Sequence, residues 1–151
     1  MSKEGKYHQG RFHPQNPEKY KGDYNNIIYR SSWEVKFMRY CDRNENILEW
    51  GSEEFFIPYY DSTTHKVRRY FPDFIMKVKE TNGTIKKYII EVKPERQTRP
   101  PVPGKKKQKT LITESLAYEK NIAKWNAAKE WCDDRGIIFR IITEKELFGY
   151  K

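Results

Sequence analysis

"YIIEVKPE", Tyr88–Glu95, opens like a buried strand and closes on two opposite charges. Side chains in a strand alternate between faces, so Tyr88, Ile90 and Val92 share one face and Ile89, Glu91 and Lys93 share the other. Pro94 has no N–H to give to a ladder, so pairing on that side stops there. A carboxylate and an ammonium group therefore stand one pleat apart at the C-terminal end of a strand, aimed the same way as Ile89.

The partner of this strand is legible upstream. Asn82-Gly83, inside "TNGT", separates "IKKYIIEVK" (Ile85–Lys93) from "RRYFPDFIMKV" (Arg68–Val78), a strong short-range hairpin signal. Asp73 lies in "FPDF" and shares a face with Phe71 and Ile75, as Glu91 does with Ile89, so a suitable register brings the two carboxylates together. Neighbouring anions repel, and burial raises the cost of ionising either. A divalent cation such as Mg²⁺ removes that conflict, because it takes one or two carboxylates together with substrate phosphate and water. Lys93 beside them can contact a phosphate or orient and deprotonate an attacking water. These are the parts of metal-assisted phosphodiester hydrolysis. The plainer readings are a solvent-facing Glu91–Lys93 pair at a strand end and a turn carboxylate after Pro72.

Working outward, "ILEW" (Ile47–Trp50) and "EFFIPYYD" (Glu54–Asp61) read as strands, and "RSSWEVKFMRYCDRN" places Trp33, Phe37, Tyr40 and Cys41 at helical spacing, predicting a helix near Ser32–Arg43. A long helix is expected from about Glu114 to Asp134, with Thr113 as its cap and Gly136 just past its end. "IIFRIIT" (Ile137–Thr143) is an apolar strand, and Thr143–Glu146 is a capping-box pattern opening a last short helix. A strand–helix–strand connection within one sheet makes a parallel crossover. The order predicts an α/β fold with an αβββαβ core, a mixed sheet with helices packed against it. Residues 1–29, rich in Tyr, Asn, Gly and Pro, read as an extended N-terminal arm able to pack through Tyr20, Ile27, Ile28 and Tyr29. Residues 30–151 form the main domain.

The chain has 151 residues, of which 36% are hydrophobic and 34% charged. The aromatic share of 15% argues against disorder, since disordered chains are poor in aromatics. The net charge of +9 favours a polyanionic partner, nucleic acid before anionic membrane. Six Arg or Lys and one Glu fall in the Pro-rich stretch 95–109, "ERQTRPPVPGKKKQK", which reads as a loop. Cys41 and Cys132 form no CxxC pair and are expected as buried free thiols. "MSKEGKYHQG" has no apolar signal core and no apolar run is of membrane-spanning length, which points to a cytosolic-type protein. His8, His13 and His65 have no metal-ligand spacing. Glu34 has two readings: in Ser31-Ser32-Trp33-Glu34 it fits a capping box, reaching back to the Ser31 N–H, or it is a further acidic group of the site.

"RSSWE" (Arg30–Glu34), "FPDF" (Phe71–Phe74) and "EVKP" (Glu91–Pro94) resemble the E…PD…ExK signature of the PD-(D/E)xK, restriction-endonuclease-like nucleases, and the element order matches that family's αβββαβ core. The resemblance covers roughly residues 30–143. Within the superfamily, "RSSWE" and "PDF" are similar to endonuclease partner subunits of certain transposases. "NPEKYKGD" (Asn16–Asp23), "IIYRSSWE" and the basic loop after "EVKP" look closer to small nucleases that complete the heads of large tailed bacteriophages.

The resemblance implies Asp73 and Glu91 as metal ligands with the Val92 carbonyl, Lys93 as the catalytic lysine, and Glu34 at the metal or its water. It implies Mg²⁺, with Mn²⁺ able to substitute. Some relatives add a polar residue from the helix after ExK, for which Lys120 and Lys124 are candidates. The basic loop leaves directly from the site strand, so Arg96, Arg99, Lys105, Lys106, Lys107 and Lys109 are expected to hold backbone phosphates of double-stranded DNA without reading bases. The function so implied is a DNA endonuclease of low sequence specificity, processing packaged DNA ends during phage head completion. It would work in the host cytoplasm with portal, head or neck proteins as partners, or within the virion head. A junction-resolving or transposase-partner nuclease on the same fold, and a non-enzymatic DNA-binding head or neck protein, are the alternatives.

Overall fold

The computed structural model describes residues 7–149; the first six residues of the arm and the last two of the main domain lie outside the described residues. The centre of the molecule is a four-stranded sheet built from β3 (Ile47–Ser52), β6 (Phe74–Lys79), β7 (Ile85–Val92) and β8 (Ile138–Ile142), in the order β3-β6-β7-β8. The β6 strand is antiparallel to both β3 and β7, whereas β7 and β8 run parallel. The helix α1 (Ser32–Arg43) precedes β3, and α2 (Gln108–Asp133) carries the crossover from β7 to β8. The expected αβββαβ core is present, with a mixed sheet flanked by helices.

The hairpin turn behaves as its residues dictate. Gly83 adopts φ +87°, which its missing Cβ permits, and the Thr84 N–H donates to Asn82 Oδ1 at 3.0 Å. Alternation then divides the sheet between two cores. Phe74 and Ile90 join Val35, Phe37, Met38 and Cys41 of α1, while Ile75 and Ile89 face Trp125, Ala128 and Cys132 of α2. Both cysteines are free and buried, as expected.

Three expectations change. The run Arg68–Val78 is not one strand. It breaks at Pro72-Asp73 into β5 (Lys66–Tyr70) and β6, because Pro72 cannot donate to a ladder and its ring is fully buried at the corner. The β5 strand instead pairs antiparallel with β4 (Ile57–Asp61) in a separate ribbon, so a hairpin is inserted between the first and second core strands. The Glu54–Asp61 strand is correspondingly shorter. The long helix starts at Gln108, not Glu114, with Lys107 at its cap position and Thr113 inside it, donating to the Lys109 carbonyl. Once Pro103 and Gly104 are past, nothing in the sequence opposes helix, so the basic segment gives up Lys109 to the first turn.

The amino-terminal segment is fastened to this body. Its strand β1 (Tyr7–Phe12) pairs antiparallel with β2 (Ile27–Ser31), so the boundary drawn at residue 29 falls inside β2. Phe12, Tyr20 and Ile27 are buried in the α1 core, Tyr29 packs against it, and Ile28 is exposed. The fully buried Asp42 carboxylate accepts the Gln15 and Asn16 N–H groups at 2.8 and 2.9 Å, and Lys19 Nζ donates to the Cys41, Asp42 and Asn44 carbonyls at the end of α1. The last helix, α3 (Glu144–Phe148), opens on the expected capping box: Thr143 accepts from Lys145 N–H while Glu146 accepts from Thr143 N–H.

Trp50 ties the arm to the sheet. It is 1% exposed and makes edge contacts with Phe12 and Tyr20, and among the described residues its indole N–H has no hydrogen-bond partner. Trp50→Ala is expected to lower the unfolding free energy by about 3–5 kcal/mol in chemical denaturation. Trp50→Phe should lose markedly less, because it keeps a ring and removes the orphaned donor.

Candidate active site

The register of β6 and β7 assembles the site. Phe74 lies opposite Ile90 and Ile75 opposite Ile89, so one step further the ladder sets Asp73 opposite Glu91. Asp73 is past the end of the regular strand, and its Oδ2 takes the place of a backbone acceptor by receiving the Val92 N–H at 2.8 Å. The Glu53 N–H in turn donates to the Asp73 carbonyl at 3.2 Å, which anchors the corner to the end of β3. On the other side, the Lys93 N–H donates to the Ile142 carbonyl at 2.9 Å, continuing the β7–β8 pairing up to Pro94. The side chains of Asp73, Glu91 and Lys93 thus lie at the carboxyl end of β7, on the face covered by α2.

Glu91 is buried. Its Oε1 accepts from the Tyr70 hydroxyl at 2.5 Å and its Oε2 lies 3.6 Å from Lys93 Nζ. Burial pushes the Asp73 carboxyl well above the usual carboxylate range, and the Glu91 charge pushes the same way. The Val92 N–H and Lys93 oppose that rise only in part. Glu91 is also raised by burial, against the pull of Lys93, Tyr70 and Lys124. Burial and the Glu91 carboxylate hold the Tyr70 hydroxyl protonated, so it serves as a donor.

Of the two helix lysines, Lys124 is the one whose charge acts on Glu91. Burial lowers its pKa, Glu91 is the first group to oppose that fall, and its Nζ stands 5.9 Å from the ring centroids of both Tyr59 and Tyr70. Lys120 is turned to the fully buried Asp61, 3.6 Å away, which also holds Arg68 at 3.1 Å. The Tyr70 contact was not legible in the sequence, because it depends on the inserted ribbon folding back on β7. An aromatic two residues before the Pro-Asp corner was its only trace.

Glu34 sits at the start of α1. The Ser31 hydroxyl caps the helix by accepting the Glu34 N–H at 3.1 Å, but the Glu34 side chain reaches one residue further back than a capping box requires, accepting the Arg30 N–H at 2.9 Å. Burial raises its pKa, and Glu53 and Glu91 act in the same direction. The Arg30 guanidinium pairs with Glu53, a residue at φ +54° where non-glycine backbones are strained.

Arg96 lies in a single 3-10 turn over Glu95–Thr98, Arg99 follows it and pairs with Glu95 at 2.9 Å, and Lys106 pairs with Glu114 at 2.6 Å. Lys105 and Lys107 are exposed just before α2 and Lys109 is exposed in its first turn. Arg96, Arg99 and Lys106 line one cavity, and the other three stand outside it.

Among the described residues, no three His, Cys, Asp or Glu side chains gather closely enough to make a metal cage. Two hard carboxylates that burial and mutual repulsion keep short of compensating charge do suit a cation that retains several waters. The donor set of Asp73 and Glu91, with the Val92 carbonyl directly after Glu91 in the chain, therefore fits a hard divalent cation.

Two comparisons bear on this arrangement. Residues 44–144 match the family described as TnsA-like endonuclease N terminal. Over 150 residues the chain is 39% identical to the head completion nuclease of Enterobacteria phage T4, covering 95% of this chain and 97% of that protein. The matched span contains the Pro-Asp corner, the Glu-Val-Lys strand end and α2, and the full-length relative also covers the α1 glutamate. The chain belongs to the TnsA-like endonuclease family, with a restriction-endonuclease-like fold.

Proposed function

We propose that the protein is a metal-dependent DNA endonuclease of phage head completion that hydrolyses phosphodiester bonds at Asp73, Glu91, Lys93 and Lys124. One observation carries the reading: a carboxylate pair set opposite each other by the β6–β7 register, both members raised by burial, with Lys93 3.6 Å from one of them. The 39% identity to a named head completion nuclease supports the biological setting, with work in the host cytoplasm on packaged DNA and head or portal proteins as partners.

Asp73, Glu91 and the Val92 carbonyl would hold the cation, with Glu34 reaching it through water. Bound there, the cation supplies Lewis-acid polarisation of the phosphate and a more acidic water. The remaining work belongs to the chain. Tyr70 donates to Glu91 Oε1 and leaves Oε2 for the cation and Lys93. The Val92 N–H fixes one oxygen of Asp73 and leaves the other free to turn toward Glu91. Lys93 orients the attacking water, and Lys124 adds a second positive charge where the pentavalent phosphate gathers negative charge. A P–O bond forms to the water oxygen as one P–O ester bond breaks, with a proton passing to the departing oxygen, so that a phosphomonoester and a free hydroxyl result. The basic residues from Arg96 to Lys109 contact backbone phosphates, which carry affinity and no sequence, so cutting is of low sequence specificity.

Two results test this. In cleavage of linear and supercoiled DNA with Mg²⁺ or Mn²⁺, Asp73→Asn, Glu91→Gln and Lys93→Ala should each lose at least about 100-fold in rate while retaining salt-sensitive DNA binding. Cutting that survives in Asp73→Asn and Lys93→Ala would place the chemistry elsewhere. Thermal melting tests the electrostatics. A carboxyl whose folded pKa is raised contributes stability that is full below its unfolded pKa and lost as pH rises through the folded value. Metal-free protein should therefore lose stability as pH rises above the ordinary carboxylate range. Asp73→Asn, which keeps an acceptor for Val92 N–H, should melt about 2–4 °C higher at neutral pH, the shift worth roughly 1 kcal/mol in a domain of this size. Mg²⁺ should stabilise the wild type and leave Asp73→Asn nearly unchanged.

A further inference from the structure

Between the basic segment and α2 lies a cavity of about 550 Å³, within the size range of small-molecule sites. One wall is chain from Arg96 to Val102, together with Lys106, and the other is the α2 face bearing Glu114, Ala117, Tyr118 and Asn121. Three cations and one carboxylate line it, so its net charge is +2. Two of the three cations are held by carboxylates: Glu95 holds Arg99 and Glu114 holds Lys106. Phosphate holding alone would not need the rest of the lining. Pro100, Pro101, Val102 and Ala117 supply apolar surface, Tyr118 an aromatic ring, and Gln97 and Asn121 carboxamides able both to donate and to accept. An anion-attracting mouth, a ring for stacking and amides for a polar edge match a nucleotide. A paired base in an intact duplex cannot enter a cavity of this kind.

The position of the cavity says which nucleotide. Asn121 is three residues before Lys124 on α2, hence on the same face and about 4.5 Å from it along the axis. Ala117 is one further turn back, about 10 Å from Lys124 along the axis. On the strand side, the lining begins at Arg96, three residues after Lys93. We infer that the cavity receives one unpaired nucleotide next to the scissile phosphate, so that the protein engages frayed or overhanging DNA ends in preference to closed duplex. This rests on the nuclease reading of the site and adds to it the form of the substrate.

The test is binding without cleavage, in metal-free buffer, so that it does not depend on the chemistry. A duplex carrying a one-nucleotide 2-aminopurine overhang is titrated against the same duplex with a blunt end. The wild type should quench the 2-aminopurine and bind the overhang more tightly. Tyr118→Ala should abolish the quenching and weaken overhang binding roughly 5- to 100-fold, the worth of one stacked base, with blunt-end binding unchanged. Tyr118→Phe should behave as wild type, and Asn121→Ala should reduce the overhang preference while melting normally. Equal binding of both ends by wild type overturns the inference, as does full quenching by Tyr118→Ala or its loss in a normally melting Tyr118→Phe. Failure of the nuclease reading would appear separately, as cutting that persists in Asp73→Asn.

Discussion

The antiparallel register of β6 and β7 is the constraint on which the rest depends. It sets Asp73 opposite Glu91 and at the same time sends Ile75 and Ile89 to the α2 core and Phe74 and Ile90 to the α1 core. A slip of one residue would exchange the two faces and bury the wrong set. The apolar alternation that stabilises the sheet therefore also holds two carboxylates together in a place where neither ionises readily. The repulsion is a local penalty, tolerated because the packing of both cores fixes the register from either side.

Three neighbouring elements keep the pair usable. The β4–β5 ribbon presents Tyr70, whose protonated hydroxyl occupies one oxygen of Glu91. The α2 helix brings Lys124 over the rings of Tyr59 and Tyr70, where its charge helps to lower the Glu91 pKa against burial. The start of α1 supplies Glu34, tied to Arg30, and Arg30 is tied to Glu53, whose N–H meets the Asp73 carbonyl. That chain of contacts runs from the α1 helix back to the Pro-Asp corner. Glu53 holds a strained backbone conformation within it, the kind of departure that persists only where surrounding structure over-determines it.

The centre of the site was legible in the sequence because it is governed by short-range rules. Period-two alternation put Glu91 and Lys93 on one face, and Asn82-Gly83 fixed the hairpin that brings Asp73 across. What the sequence concealed depends on contacts distant along the chain. Pro72 was visible, but that it would divide Arg68–Val78 between two sheets follows only once β5 finds β4 and β6 finds β3. Lys120 and Lys124 are one helical turn apart, and only the packed phase of α2 gives Lys120 to Asp61 and brings the Lys124 charge to bear on Glu91. The N-terminal segment, read as an extended arm, is held by the buried Asp42 carboxylate, a partner that no local pattern announces.

The central claim is that Asp73 and Glu91 form a closely interacting buried pair whose charge awaits a cation. Carbon-13 NMR titration of the side-chain carboxyls, assigned with Asp73→Asn and Glu91→Gln, measures this directly. Without divalent cation, at least one of the two should titrate well above the ordinary carboxylate range. With Mg²⁺ that titration should move down in pH while the other Asp and Glu signals stay in place. Two carboxyls that titrate in the ordinary range, indifferent to Mg²⁺, would contradict the account.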